Sequence, residues 1–200
     1  MAEPIEFYFD FSSPYGYLAS ERIEAIGAEF GRTVVWRPYL LGVAFKATGQ
    51  SPLVQQPLRG PYHLHDMHRS ARKLKLPFVI PEGFPMSTIA AARAFYWLEG
   101  QSADQAKALA QAVYRAAFAE GRNVTAGETV ADIAAGIGLD RARVLEGIAT
   151  PTVKDRVRAE TDHALARGAF GSPFVFVGEE PFWGNDRLED VRDWLRSGGW

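Results

Sequence analysis

Three short segments carry the residues best suited to chemistry: Ser12-Ser13-Pro14 after an aromatic run, Ser172-Pro173 before a second apolar run, and Trp183-Gly184-Asn185-Asp186-Arg187 beyond it. Residues 5–11 alternate and are aromatic, as in a strand, and they run straight into the Ser-Pro turn that opens a helix. A helix start presents unpaired N–H groups and the positive end of a dipole, so Ser13 faces surroundings that favour an anion. Pro14 falls at the first helical position, where its missing N–H costs nothing. Capping is the commoner role of a serine so placed, and the functional reading leans on the two later segments. Direct nucleophilic attack by Ser13 would need a histidine base with an orienting acid. His63, His65, His68 and His163 all fall in the middle of the chain, which ranks that role below hydrogen-bond donation.

The elements that must position these segments follow from periodicity. Residues 15–30 place Leu18, Ile23, Ile26 and Phe30 at helical intervals before Gly31, and residues 33–39 return as a strand, completing a βαβ unit. From Gly42 to about Gly168 the helical period dominates. Ser87 opens one helix, Asp104 caps the next, and shorter helices are expected over 127–137 and 140–148 with a longer one over 152–167. The β signal resumes at 173–177 and 181–183, and a last helix covers 185–195, capped by Asn185 or Asp186. Two β-containing ends around a helical block form one α/β domain, residues 1–41 with 168–200, interrupted by an all-helical insertion at 42–167.

Composition excludes several function classes. The chain has 200 residues, 47% of them hydrophobic, enough for a packed core, and a formal net charge of -2, which gives no global field for nucleic acid or an anionic membrane. It contains no cysteine, so a disulfide framework, a thiolate metal site and a protein thiol nucleophile are all impossible. Any sulfur chemistry uses a borrowed thiol. No leader-like or membrane-spanning run is evident, and a cytoplasmic setting is expected. His63, His65 and His68 lack a carboxylate placed to complete a metal site, so no metal is expected. Arg69, Arg72, Lys73 and Lys75 read as a solvated helix face.

The order βαβ then ββα, with a Ser-Pro turn at the first helix and Ser172-Pro173 entering the third strand, resembles the thioredoxin-like fold with the helical insertion of DsbA-type proteins. More narrowly, Phe9-Asp10-Phe11-Ser12-Ser13-Pro14, Phe170-Gly171-Ser172-Pro173-Phe174 and Trp183-Gly184-Asn185-Asp186-Arg187 are together similar to 2-hydroxychromene-2-carboxylate isomerases and kappa-class glutathione transferases. Redox members of the fold carry Cys-x-x-Cys at the first helix. Here that stretch is Ser13-Pro14-Tyr15-Gly16, which excludes dithiol chemistry.

What the resemblance implies is a site for glutathione. Ser13 would donate to its thiolate; such a bond contributes about 1.5–3 kcal/mol, or one to two pKa units, against a free thiol near 8.5. Pro173 would be cis, with Ser172 pairing to the peptide backbone of glutathione, and Asn185 and Asp186 would take its γ-glutamyl end. Gln50 and Arg59 stand where the family has an Asn and commonly a Lys contacting glutathione. Tyr15, Tyr62, Phe84 and Trp183 would line an aromatic pocket, with Lys46 as a further anchor for a carboxylate. The implied activity is isomerisation of 2-hydroxychromene-2-carboxylate, or a related aromatic carboxylate, to the trans open-chain pyruvate by thiolate addition, rotation and elimination. A glutathione transferase and a cysteine-free module that binds peptides or a partner protein along Pro173 are the alternatives. Relatives of this kind are often dimers, and the alanine-rich helical block offers an interface.

Overall fold

The computed structural model describes residues 3–200. Four strands form one sheet in the order β2-β1-β3-β4. Strand β1 (Ile5–Phe9) pairs parallel with β2 (Val34–Pro38) and antiparallel with β3 (Phe174–Val177), and β3 pairs antiparallel with β4 (Glu180–Trp183). The two ends of the chain thus share one sheet, and β1 lies in its interior.

Burial on both faces explains the aromatic density of β1. Ile5, Phe7 and Phe9 face the larger core with Leu18, Trp36, Phe95 and Tyr114, whereas Tyr8 faces a second core with Tyr39, Ala164, Phe174 and Phe176. Alternate residues therefore meet different apolar layers. Phe7 and Phe9 lie edge-on to Trp36 at 5.1 and 5.4 Å, a favoured aromatic geometry.

Where one helix was expected over 15–30 there are two, α1 (Pro14–Ser20) and α2 (Ile23–Glu29). Ser20 turns its hydroxyl back onto the Tyr17 carbonyl at 2.7 Å, which competes with the helical ladder. The break at Glu21 and Arg22 lets α2 turn Ile23 and Ile26 into the core.

Between β2 and β3 lie α3 (Leu41–Thr48), a short 3₁₀ turn, α4 (Arg59–Leu74), α5 (Ile89–Glu99), α6 (Ala103–Phe118), α7 (Gly127–Gly136), α8 (Arg141–Ala149) and α9 (Pro151–Ala166). Ser102, not Asp104, caps α6: its extended backbone lets its oxygen accept from Gln105 N–H at 3.3 Å, and Asp104 sits within the first turn. Helix α5 starts two residues after Ser87. Thr88 precedes it without capping, because its hydroxyl is given to Asp10. The chain ends with a 3₁₀ turn at Asn185–Arg187 and α10 (Leu188–Ser197); neither Asn185 nor Asp186 caps it.

Candidate active site

A cavity of about 1150 Å³ opens between the C-terminal end of β1, the starts of α1 and α3, helix α4, the segment before α5, and the loops flanking β3 and β4. Its inner wall is built around Asp10. The Asp10 carboxylate is 4% exposed and accepts three hydrogen bonds: Ser12 N–H at 2.8 Å, Thr88 Oγ1–H at 2.6 Å and Leu41 N–H at 2.7 Å. Three donors from three separate segments compensate the burial of a carboxylate without a cation. The same residue also works through its backbone. Its N–H donates to Ser172 Oγ at 2.9 Å, and its carbonyl accepts from Ser13 N–H and Tyr114 Oη–H, both at 2.9 Å.

Ser13 is buried beside it. Its oxygen accepts from Gly16 N–H at 3.1 Å, so it does cap α1, and its hydroxyl donates to the Ser172 carbonyl at 2.7 Å. Capping and site-building therefore coincide in one side chain. The Ser172–Pro173 bond is cis, and the segment is pinned at successive carbonyls: Tyr39 Oη–H donates to Gly171 at 2.6 Å, Ser13 to Ser172, and Gly184 N–H to Pro173 at 3.0 Å. Burial pushes the Tyr39 hydroxyl far above the usual phenol range, with the Asp10 charge adding to it, so it stays a donor. Gly171 is required by close approach, since a Cβ there would lie 2.1 Å from Trp183 Nε1.

Of the residues expected to hold ligand, Ser13, Tyr15, Gln50, Arg59, Tyr62, Phe84, Ser172, Trp183, Asn185 and Asp186 all line the cavity. Pro173 lies buried behind Ser172 and does not line it, shaping the loop from beneath. Asn185 is buried and accepts from Arg22 at 3.4 Å, whereas Asp186 is exposed at the rim beside Arg187, 3.6 Å away. Gln50 and Arg59 are exposed on the opposite lip. Lys46 is not brought to the cavity. Leu41 and Ala44 of α3 turn into the core, and Lys46 projects from the exposed last turn.

Tyr15 does not present a free ring edge. Its hydroxyl donates to Asp66 Oδ2 at 2.7 Å, and its oxygen lies 3.4 Å from His63 Nδ1. Burial, followed by that bond to Asp66, pushes the Tyr15 hydroxyl far up. Burial works to raise Asp66 too, but the hydrogen bonds from Tyr15 and Arg69 outweigh it and hold its carboxyl below the ordinary range. Arg69 reaches on to Tyr62 Oη at 3.1 Å. Asp10, Thr88, His63, Asp66 and Arg187 are cavity residues that the sequence reading left without a role there.

The resemblance is quantitative. A DsbA-like thioredoxin domain model matches residues 4–196. The chain is 30% identical to a 2-hydroxychromene-2-carboxylate isomerase of Sphingobium xenophagum, over 98% of this chain and 99% of that one. It is 24% identical to glutathione S-transferase kappa 1 of Homo sapiens, over 92% and 87% of the two chains. A solved 2-hydroxychromene-2-carboxylate isomerase superposes with a TM-score of 0.86 at 27% identity, covering 96% of this chain and 94% of the other. With an α/β sheet of matching kind and a buried serine where dithiol relatives carry cysteine, the chain belongs to the DsbA-like thioredoxin family and, within it, to the 2-hydroxychromene-2-carboxylate isomerase group.

Proposed function

We propose that this chain is a glutathione-dependent isomerase acting on 2-hydroxychromene-2-carboxylate or a closely related aromatic carboxylate. The observation that carries the reading is the contact between the buried Ser13 hydroxyl and the Ser172 carbonyl at the base of a large cavity, in a chain without cysteine. Glutathione, when bound, supplies a thiolate that adds reversibly to the conjugated double bond and leaves after rotation. Residues 1–41 with 168–200 carry the proposed glutathione seat, and the 42–167 block covers it.

The fit to glutathione is supported by the donor set. Ser13 offers a hydroxyl proton to a thiolate, an interaction worth about 1.5–3 kcal/mol in a buried site. The fixed Ser172 backbone offers a peptide edge of the kind that pairs with an extended ligand. Asp186, exposed at the rim, suits an ammonium group, and Arg59, which pairs with no acid among the described residues, suits a carboxylate. Tyr62 and Trp183, 59% and 49% exposed, offer apolar surface for an aromatic ring. The reading includes a cytoplasmic setting, where glutathione keeps thiols reduced, and a homodimer.

Calorimetric titration of glutathione into wild type and Ser13→Ala across pH tests the proposal. Expected is saturable binding with proton release near neutral pH, the release lost in the variant because the bound thiol returns upward by about one to two pKa units. No binding at millimolar glutathione would overturn it. Product analysis then separates isomerisation, which returns glutathione unchanged, from conjugation, the reading that the likeness to kappa-class transferases supports.

A further inference from the structure

Among the described residues no group of three His, Cys, Asp or Glu could hold a metal, which leaves His63 unexplained. It differs from its neighbours on α4: His63 lines the cavity, while His68 packs against Phe78 at 5.0 Å and His65 is exposed. Its hydrogen bonding fixes its tautomer. A phenol carries one proton, and that of Tyr15 is given to Asp66 at 2.7 Å. Tyr15 therefore meets His63 Nδ1, 3.4 Å away, with a lone pair, and Nδ1 must carry the hydrogen. In the neutral imidazole the other ring nitrogen, Nε2, is then the acceptor, and it has no hydrogen-bond partner among the described residues. Asp66, held by Arg69, thus orients Tyr15, which is two residues along the chain from Ser13, and Tyr15 orients the histidine base.

We propose that His63, oriented by Tyr15 and Asp66, is a catalytic residue that moves the proton needed to open the chromene ring. The inference rests on the isomerase reading and deepens it. The substrate is a cyclic hemiketal, and no double bond can be turned while the ring is closed. His63 Nε2 takes the proton of the C2 hydroxyl, the C2–oxygen ring bond breaks, and its electron pair leaves with the ring oxygen as C2 becomes a ketone. The imidazolium returns the same proton to the phenolate. Atoms and charge balance, and no oxidant, reductant or co-reactant is required. This role is separate from that of Ser13, which serves the thiol.

The test compares two substrates: the chromene carboxylate, and the cis open-chain pyruvate with an ortho methoxy group, which cannot cyclise and needs no ring opening. In His63→Ala the ratio of chromene turnover to methoxy turnover is expected to fall by about 10²-fold or more, the usual contribution of a positioned acid-base group. His63→Asn keeps an N–H for Tyr15 but no base, and the same loss is expected there, which separates proton transfer from support of Tyr15. Glutathione affinity measured alongside reports the cofactor reading independently. Equal slowing of both substrates, or unchanged chromene turnover, would overturn the inference. Wild-type protein that binds glutathione yet turns over neither substrate would remove the isomerase reading and this inference with it.

Discussion

Replacing Asp10 with Asn removes one acceptor from a site that supplies three donors, and the cost follows from the geometry. Ser12 N–H and Thr88 Oγ1–H share Oδ1, and Leu41 N–H has Oδ2 to itself. An amide keeps more bonds with its oxygen toward Ser12 and Thr88, which turns its NH₂ toward the Leu41 N–H, donor against donor. A charge-assisted bond is lost and a buried N–H at the start of α3 is orphaned, together costing about 2–4 kcal/mol. For a chain of this size that lowers the melting temperature by roughly 4–16 °C. Calorimetric melting of Asp10→Asn, Thr88→Val and the double variant measures it. The double variant is expected to fall short of the summed losses by about 1 kcal/mol, because in Asp10→Asn the Thr88 bond persists but has already lost the charge that strengthens it. An Asp10→Asn protein melting within about 2 °C of wild type would refute the accounting.

Two further perturbations test the surroundings of the site. Gly16→Ala would put a Cβ 2.4 Å from Tyr114 Oη and 3.1 Å from Ser172 Oγ; as Tyr114 is buried and committed to Asp10, a loss of about 1–3 kcal/mol is expected in denaturant melts, with weaker glutathione binding. Glu6 sits between Arg37 and Arg167: burial raises it, but hydrogen bonds from Arg167 and then Arg37 prevail and hold its carboxyl below the ordinary carboxylate range. A depressed carboxyl stabilises the fold above its unfolded value and loses that contribution as pH falls through the folded one. Glu6→Gln should therefore cost about 1–3 kcal/mol at neutral pH and converge with wild type in acid, read from urea midpoints at both pH values; a pH-independent difference would contradict it.

Much of this architecture was legible because the signals were local. The aromatic run of β1, the Ser-Pro turn and the return of β character near Phe174 are each contained within a few residues. What escaped depends on partners far along the chain. An Asp within an alternating aromatic strand reads as a solvent-facing position, and nothing nearby says that Asp10 meets Leu41 and Thr88, 31 and 78 residues away. The helix expected to open at Ser87 starts at Ile89 instead, and the hydroxyl of Thr88 before it is committed to the distant Asp10. The break after Ser20 was hidden because the apolar spacing continues across it, while the bond that interrupts the ladder is a side-chain choice. His63 was set aside as a base because it falls in the middle of the chain, far from Ser13 in sequence, yet α4 turns it to the same cavity.

Ser13 and Ser172 are coupled more tightly than a list of ligand contacts conveys. The Ser13 hydroxyl has a single proton, and without ligand it is given to the Ser172 carbonyl at 2.7 Å while its oxygen already accepts from Gly16. Donating to a thiolate means withdrawing that proton, which leaves a buried carbonyl unpaired at a cost of about 1–3 kcal/mol, comparable to the gain from the new bond. Stabilising the thiolate therefore requires a replacement donor for Ser172 at the same moment. In the proposed glutathione seat, a ligand whose thiol lies next to a peptide N–H would supply both changes together, whereas a bare small thiol would supply only the first. Asp10 makes this exchange possible. By holding the Ser172 hydroxyl and the Ser13 N–H through its own backbone, it keeps the two residues in place while the proton between them changes partner.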